Sequence, residues 1–115
     1  MDVESLLRTL RRAGEAPLGS GIDAAAILGG SADASRLLDA FARRSLNASV
    51  GAIASPAAWL EKFYADARAV DRRAFEILAF RFEGLSDSEV AERLGGGAGL
   101  VRRILADLRG IASSC

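Results

Sequence analysis

The chain has 115 residues, enough for one compact domain or two very small helical ones with a modest core, and too few for a large enzyme. Its 15 basic residues balance 15 acidic ones, which excludes a global field drawing it to DNA or to an anionic membrane; any such binding must be local. Histidine is absent and the one cysteine is Cys115, which removes His-based acid/base catalysis, Ser-His and Cys-His nucleophile pairs, Cys/His zinc sites and internal disulfides.

Half the residues are hydrophobic, and alanine, leucine, arginine and the acids dominate while β-branched and aromatic residues are sparse. This composition favours helix over sheet and predicts an all-α protein. Among the basic residues only Lys62 is lysine. The arginine bias suits bidentate contacts with phosphate, guanine or carboxylate, although GC-rich coding gives the same bias. The opening "MDVESLLRTLRR" begins acidic and turns amphipathic, and no apolar run approaches the roughly 18 residues of a membrane span. The expectation is a cytoplasmic, bacterial-type protein that does not engage a membrane.

In chain order, residues 3 to 13 place Val3, Leu6, Leu7 and Leu10 on one helical face and Arg8, Arg11 and Arg12 largely off it, with Gly14 able to end the helix. "EAPLGSG" is a loop by its Pro and Gly content, and Ser20, with Asp23 three residues on, is the expected cap of a short helix "IDAAAIL". "SADASRLLDAFARRSL" gives Leu37, Leu38, Phe41 and Leu46 to an apolar stripe, with Arg36, Asp39, Arg43 and Arg44 around the exposed side. "NASVGAIAS" reads as loop or as a weak helical turn.

Ser55 followed by Pro56 signals a helix start, because serine can cap free amides and proline tolerates the first helical position. That helix is expected to reach about Ala69. In it Trp59, Leu60, Phe63, Tyr64, Ala67 and Val70 follow helical spacing; the stripe reads as a packing face, with a base-stacking platform and a dimer interface as alternatives. "DRRAFEILAFRFEG" continues with Phe75, Leu78, Ala79 and Phe82 on one side and stops at Gly84. The chain therefore divides into an N-terminal helical region, 1–54, and a C-terminal helical region, 55–115.

The densest signal is "LSDSEVAERLGGGAGLVRRIL", Leu85 to Leu105. Ser86 and Glu89 have capping-box spacing, so a helix is expected from Asp87. Val90, Ala91 and Leu94 form its buried side, and Gly95 stands where a sharp turn needs positive φ. Val101, Ile104, Leu105 and Leu108 then make the apolar stripe of a second helix, and the small Ala91 lets the two helices cross closely. The outward side carries Ala98, Gly99, Arg102, Arg103 and Ala106, where two adjacent arginines can reach guanine edges or phosphates.

The residues Asp71 to Arg109, about a third of the chain, resemble region 4 of the sigma-70 family, especially its extracytoplasmic-function type. The resemblance rests on the "EGLS" step leading into a helix of the "EIAERLG" kind, a short turn and a second helix. It implies a small multi-helix bundle ending in a DNA-binding helix-turn-helix. Ser86 then sits at the first cap, Ala98, Gly99, Arg102 and Arg103 on the DNA side, and Arg109 within reach of the backbone. Where the family usually has an apolar residue, Ser and Thr, this chain has Gly96, Gly97 and Leu100. The expected function is a transcriptional regulator bound to double-stranded DNA as a homodimer. The alternative is a protein-interaction module on the same scaffold, binding RNA polymerase, a sigma factor or another regulator. Residues 71 to 115 hold seven Arg against seven Asp and Glu, which favours that alternative.

A weaker echo pairs "AAILGGSA", Ala25 to Ala32, with "AERLGGGA", Ala91 to Ala98, and reads either as a degenerate second helix-turn-helix or as coincidence in a chain rich in alanine and glycine. No glycine cluster is followed by the lysine of a P-loop. "GSGIDA", Gly19 to Ala24, lacks the preceding strand that a dinucleotide fold requires. The carboxylate pairs Asp87/Glu89 and Asp33/Asp39 fall on expected helix starts and exposed faces, where capping and solvated roles are ordinary. No catalytic residue, metal or cofactor is expected.

Overall fold

A computed structural model describes residues 2–17, 19–29, 33–51 and 53–114. The fold is all-α, and among the described residues there is no strand. Helices run in the order α1 (Val3–Ala13), α2 (Ala24–Leu28), α3 (Ala34–Leu46), α4 (Pro56–Val70), α5 (Ala74–Phe82), α6 (Asp87–Leu94) and α7 (Ala98–Ser114). None of them is long and apolar enough to cross a membrane.

Local chemistry sets most of these boundaries. Asp2 starts α1 by accepting the Ser5 amide at 2.8 Å, and the helix buries Val3, Leu6, Leu7 and Leu10 as their spacing predicts. The cap of α2 is Asp23, whose carboxylate accepts the Ala26 amide at 3.1 Å; Ser20, the expected cap, lies too far upstream. Ser55 occupies the N-cap position of α4 but its side chain makes no capping hydrogen bond, so the proline in the first turn is the effective start signal. Between α4 and α5 the chain breaks at Asp71, which is extended and accepts from the Arg73 amide and guanidinium at 2.7 and 3.2 Å.

All seven helices contribute to one hydrophobic cluster, with α1 and α3 against α5, α2 against α4, and α7 across α4 and α6. Residues 1–54 and 55–115 therefore share a core, and the boundary between them does not separate two. At its centre the Phe63 ring stacks parallel to Trp59 at 5.0 Å and meets Phe41 and Phe75 edge-on at 5.8 and 6.1 Å, while Tyr64 stacks on Phe75 at 5.3 Å. Trp59 Nε1 donates to the Ala112 carbonyl at 3.3 Å, fastening α4 to the end of α7. These rings are buried, which corrects two alternatives for the stripe: it is neither a stacking platform nor a dimer interface. In the echo at 25–32, α2 has five residues and packs against α4, and residues 30–32 of the turn lie outside the described residues.

Two polar side chains hold loops that hydropathy alone leaves undefined. Arg68 is buried beside Tyr64 and spans the loop after α1, donating to the carbonyls of Gly14 (3.2 Å), Ala16 (2.6 Å) and Pro17 (3.5 Å) and to the Tyr64 hydroxyl (3.1 Å). The Tyr64 hydroxyl donates in turn to the Ala13 carbonyl at 2.9 Å. A guanidinium is thereby set against the negative end of α1.

Asp39, expected on the exposed side of α3, is a latch for the segment after it. Its carboxylate accepts from the amides of Val50 (3.0 Å) and Gly51 (3.2 Å), from the Ser49 hydroxyl (3.2 Å) and from Arg43 Nε (2.7 Å). The Arg43 bond foremost, and then the Val50 amide, hold this carboxyl below its usual range. A lowered folded-state pKa means that the latch is intact above the ordinary aspartate range and is lost as pH falls through the lowered value. Amide resonances of Val50 and Gly51 are accordingly expected to stay fixed on acidification until below the ordinary aspartate range, then to move together. In Asp39→Asn that joint transition is expected to disappear.

Candidate nucleic-acid interface

The region built by α6, the glycine turn and α7 begins with the expected reciprocal cap. Ser86 Oγ accepts the Glu89 amide at 3.2 Å and the Glu89 carboxylate accepts the Ser86 amide at 3.1 Å. Those hydrogen bonds, the Ser86 amide foremost, hold the Glu89 carboxyl below its usual range. Val90 and Ala91 are buried as expected, whereas Leu94 is only half-buried.

Gly95 closes α6 in the left-handed region at φ 74°, and the amides of Gly95 and Gly96 both return to the Ala91 carbonyl. The Gly97 carbonyl then accepts from Leu100 and Val101 at 3.1 and 3.3 Å, opening α7. The glycine run is thus a hydrogen-bonded turn and not a slack linker. Only Gly95 among its three residues has positive φ, and a Cβ on Gly96 would meet Leu100 Cδ2 at 3.8 Å, an ordinary contact. Gly95→Ala is expected to cost about 1–2 kcal/mol, the strain of a side chain in the left-handed region. Gly96→Ala is expected to add about 0.4–1 kcal/mol by restricting the unfolded chain. Urea unfolding of the two variants measures both signs.

Along α7, Val101, Ile104, Leu105, Leu108 and Ala112 face the core. Gly99, Leu100, Arg102, Arg103 and Ala106 are exposed on the other side. Ala98, expected there, and Arg109, expected within reach of a DNA backbone, are placed differently. Ala98 is half-buried and packs against the core. Arg109 is half-buried, and its Nε donates to the Leu46 carbonyl at 2.6 Å, tying α7 to the end of α3. An arginine one turn beyond Leu105 lies at the edge of the buried stripe, where its stem packs and its head finds the free carbonyls of a neighbouring helix end.

The two remaining arginines differ in environment. Arg102 Nε lies 3.6 Å from the Asp87 carboxylate, which also lies 3.4 Å from Arg81 NH1. Arg102 is two-thirds exposed, so this pair is worth at most about 1 kcal/mol and yields to a competing phosphate. Arg103 has no carboxylate within ion-pair distance among the described residues. Glu89, Glu92 and Asp107 are exposed nearby and temper the local field. Leu100, at 44% exposure, is the exposed large hydrophobic residue among those described.

Asp87 between Arg81 and Arg102 escaped sequence reasoning; the available signal was an acid at the first position of a helix with an arginine six residues earlier. Nothing comparable marked Leu100 as exposed beyond the missing apolar residue at position 96. No three His, Cys, Asp or Glu side chains among the described residues are placed to hold a metal ion. No family model, curated protein or solved structure matches this chain.

Proposed function

We propose that the protein is a cytoplasmic DNA-binding regulator of transcription that lays the outward side of α7 in the major groove. The observation that carries this reading is the exposure of Gly99, Arg102 and Arg103 on one side of a helix joined to α6 by a closed, hydrogen-bonded glycine turn. Gly99 lets the groove approach the helix backbone, Arg103 meets a phosphate or a guanine edge, and Arg102 exchanges Asp87 for the same kind of partner. Ser86 fixes the start of α6. The sigma-70 region 4 likeness of residues 71–109 supports the same assignment as a resemblance of sequence.

The motive for a homodimer is charge. A single copy offers two outward arginines, and a pair of copies would double that number across two half-sites. A second reading, a protein-interaction module for RNA polymerase or another regulator, is favoured by the exposed Leu100 beside Gly96 and by the carboxylates around the arginines.

Fluorescence anisotropy on random duplex DNA across a salt series separates the two. The DNA reading predicts saturable binding whose log affinity falls linearly with log salt, and a loss of at least roughly tenfold in Arg102→Glu/Arg103→Glu. Absence of saturable binding at low salt, or unchanged binding in the double variant, favours the protein-partner reading.

A further inference from the structure

A concave site separate from α6 and α7 lies between α1 and the start of α5. It is a cleft of about 390 Å³ whose wall carries Arg8, Arg11 and Arg12 from α1 and Arg72 from the segment before α5. Arg8, Arg11 and Arg12 share one side of α1 through their i, i+3 and i+4 spacing, and Arg72 stands across the gap. Glu15 and Glu76 also line it, so four arginines and two acids meet there in a molecule of zero net charge, with Glu4 beside Arg8 and the Asp71 carboxylate near Arg72. Arg8 has a surface pair with Glu4 at 3.4 Å, whereas Arg11, Arg12 and Arg72 have no carboxylate within ion-pair distance among the described residues. Arg73, the N-cap residue of α5, gives the helix no side-chain cap, and Phe75 and Glu76 of its first turn lie in the cleft wall.

We propose that this cleft binds a small polyanion through a phosphate group, of the kind carried by pyrophosphate or by the phosphate end of a nucleotide. Arg11 and Arg12, which have no ion pair among the described residues, suit a ligand with more than one negative charge. A carboxylate presents two oxygens and is satisfied by one bidentate guanidinium, whereas phosphate groups present oxygens in several directions and match guanidiniums arriving from two walls. The volume lies within the range of small-molecule pockets, and a concave site suits a free phosphate terminus better than the convex backbone of a duplex.

Pyrophosphate titrated into the full chain at low salt, followed by calorimetry and by the thermal midpoint, tests this. The expected result is saturable binding of one equivalent, a raised midpoint, and affinity at least roughly tenfold weaker in Arg11→Gln/Arg12→Gln. Both side chains are exposed, so the unliganded variant keeps its midpoint; Arg72→Gln, on the opposite wall, is an independent second variant expected to weaken binding in the same direction. Arg102→Glu/Arg103→Glu is expected to bind pyrophosphate like the parent, which keeps this result separate from DNA binding. No saturable binding, equal binding by the Arg11/Arg12 and Arg72 variants, or equal competition by chloride would overturn the proposal. So would dependence of duplex DNA binding, but not of pyrophosphate binding, on Arg11 and Arg12.

Discussion

Replacing Arg68 with methionine is expected to destabilise the protein by about 3 kcal/mol, out of the roughly 5–15 kcal/mol typical of a domain. Methionine keeps much of the volume of the arginine stem, so the loss isolates the head group. That head group supplies hydrogen bonds to Gly14, Ala16 and Pro17 and to the Tyr64 hydroxyl, and a bond from a charged donor contributes more than a neutral one. Removing it takes a donor from the carbonyls of Gly14 and Ala16 and leaves Tyr64 without this partner for its oxygen lone pair. Arg68→Lys is expected to recover less than half of the loss, because a compact ammonium cannot span acceptors distributed over four residues. Urea unfolding followed by the single tryptophan measures both variants. Equal stability of Arg68→Met and the parent would mean that the loop after α1 is held by other contacts.

Phe63→Ala is expected to cost about 3–5 kcal/mol, the usual penalty for deleting a fully buried aromatic ring. The position is unfavourable for relaxation, because the ring touches Trp59, Phe41 and Phe75, which belong to three different helices. Collapse onto the cavity would have to move α3, α4 and α5 together. Phe63→Leu fills most of the space and is expected to retain the larger part of the stability. Near-ultraviolet circular dichroism, with denaturant unfolding, reads the packing of Trp59 and the loss of stability in one experiment. A small cost would show that the aromatic cluster is loosely packed.

What was legible in the sequence was whatever local chemistry specifies. The stripe Val3, Leu6, Leu7 and Leu10 gave α1 because helical periodicity and burial coincide there. Ser86 and Glu89 gave the start of α6 because each satisfies the other within one turn, and Gly95 gave its end because a left-handed residue is most easily glycine. Arg68 was not legible. Three of its four acceptors are backbone carbonyls more than fifty positions away, and a carbonyl carries no residue-type signal. Asp39 failed for the same reason at shorter range, since its amide partners lie in a segment whose small residues gave no period.

The outward side of α7 was legible as a pattern and less so as a site. Helical spacing separated Arg102 and Arg103 from the buried stripe, yet it could not show that Asp87 lies beside Arg102 or that Arg109 is taken up by Leu46. Both depend on how neighbouring helices are placed, which the hydrophobic period of one helix does not determine. The cleft between α1 and α5 is a further case: its arginines were visible along α1, but their convergence with Arg72 is a property of the packed molecule.

The most direct test of the proposed function is amide chemical-shift mapping during titration of the labelled protein with duplex DNA at low salt. The account predicts perturbations concentrated at Ser86, Gly99, Arg102 and Arg103, with Arg109 and the buried stripe of α7 little changed. Absence of perturbation, or perturbation confined to residues outside α6 and α7, would contradict it.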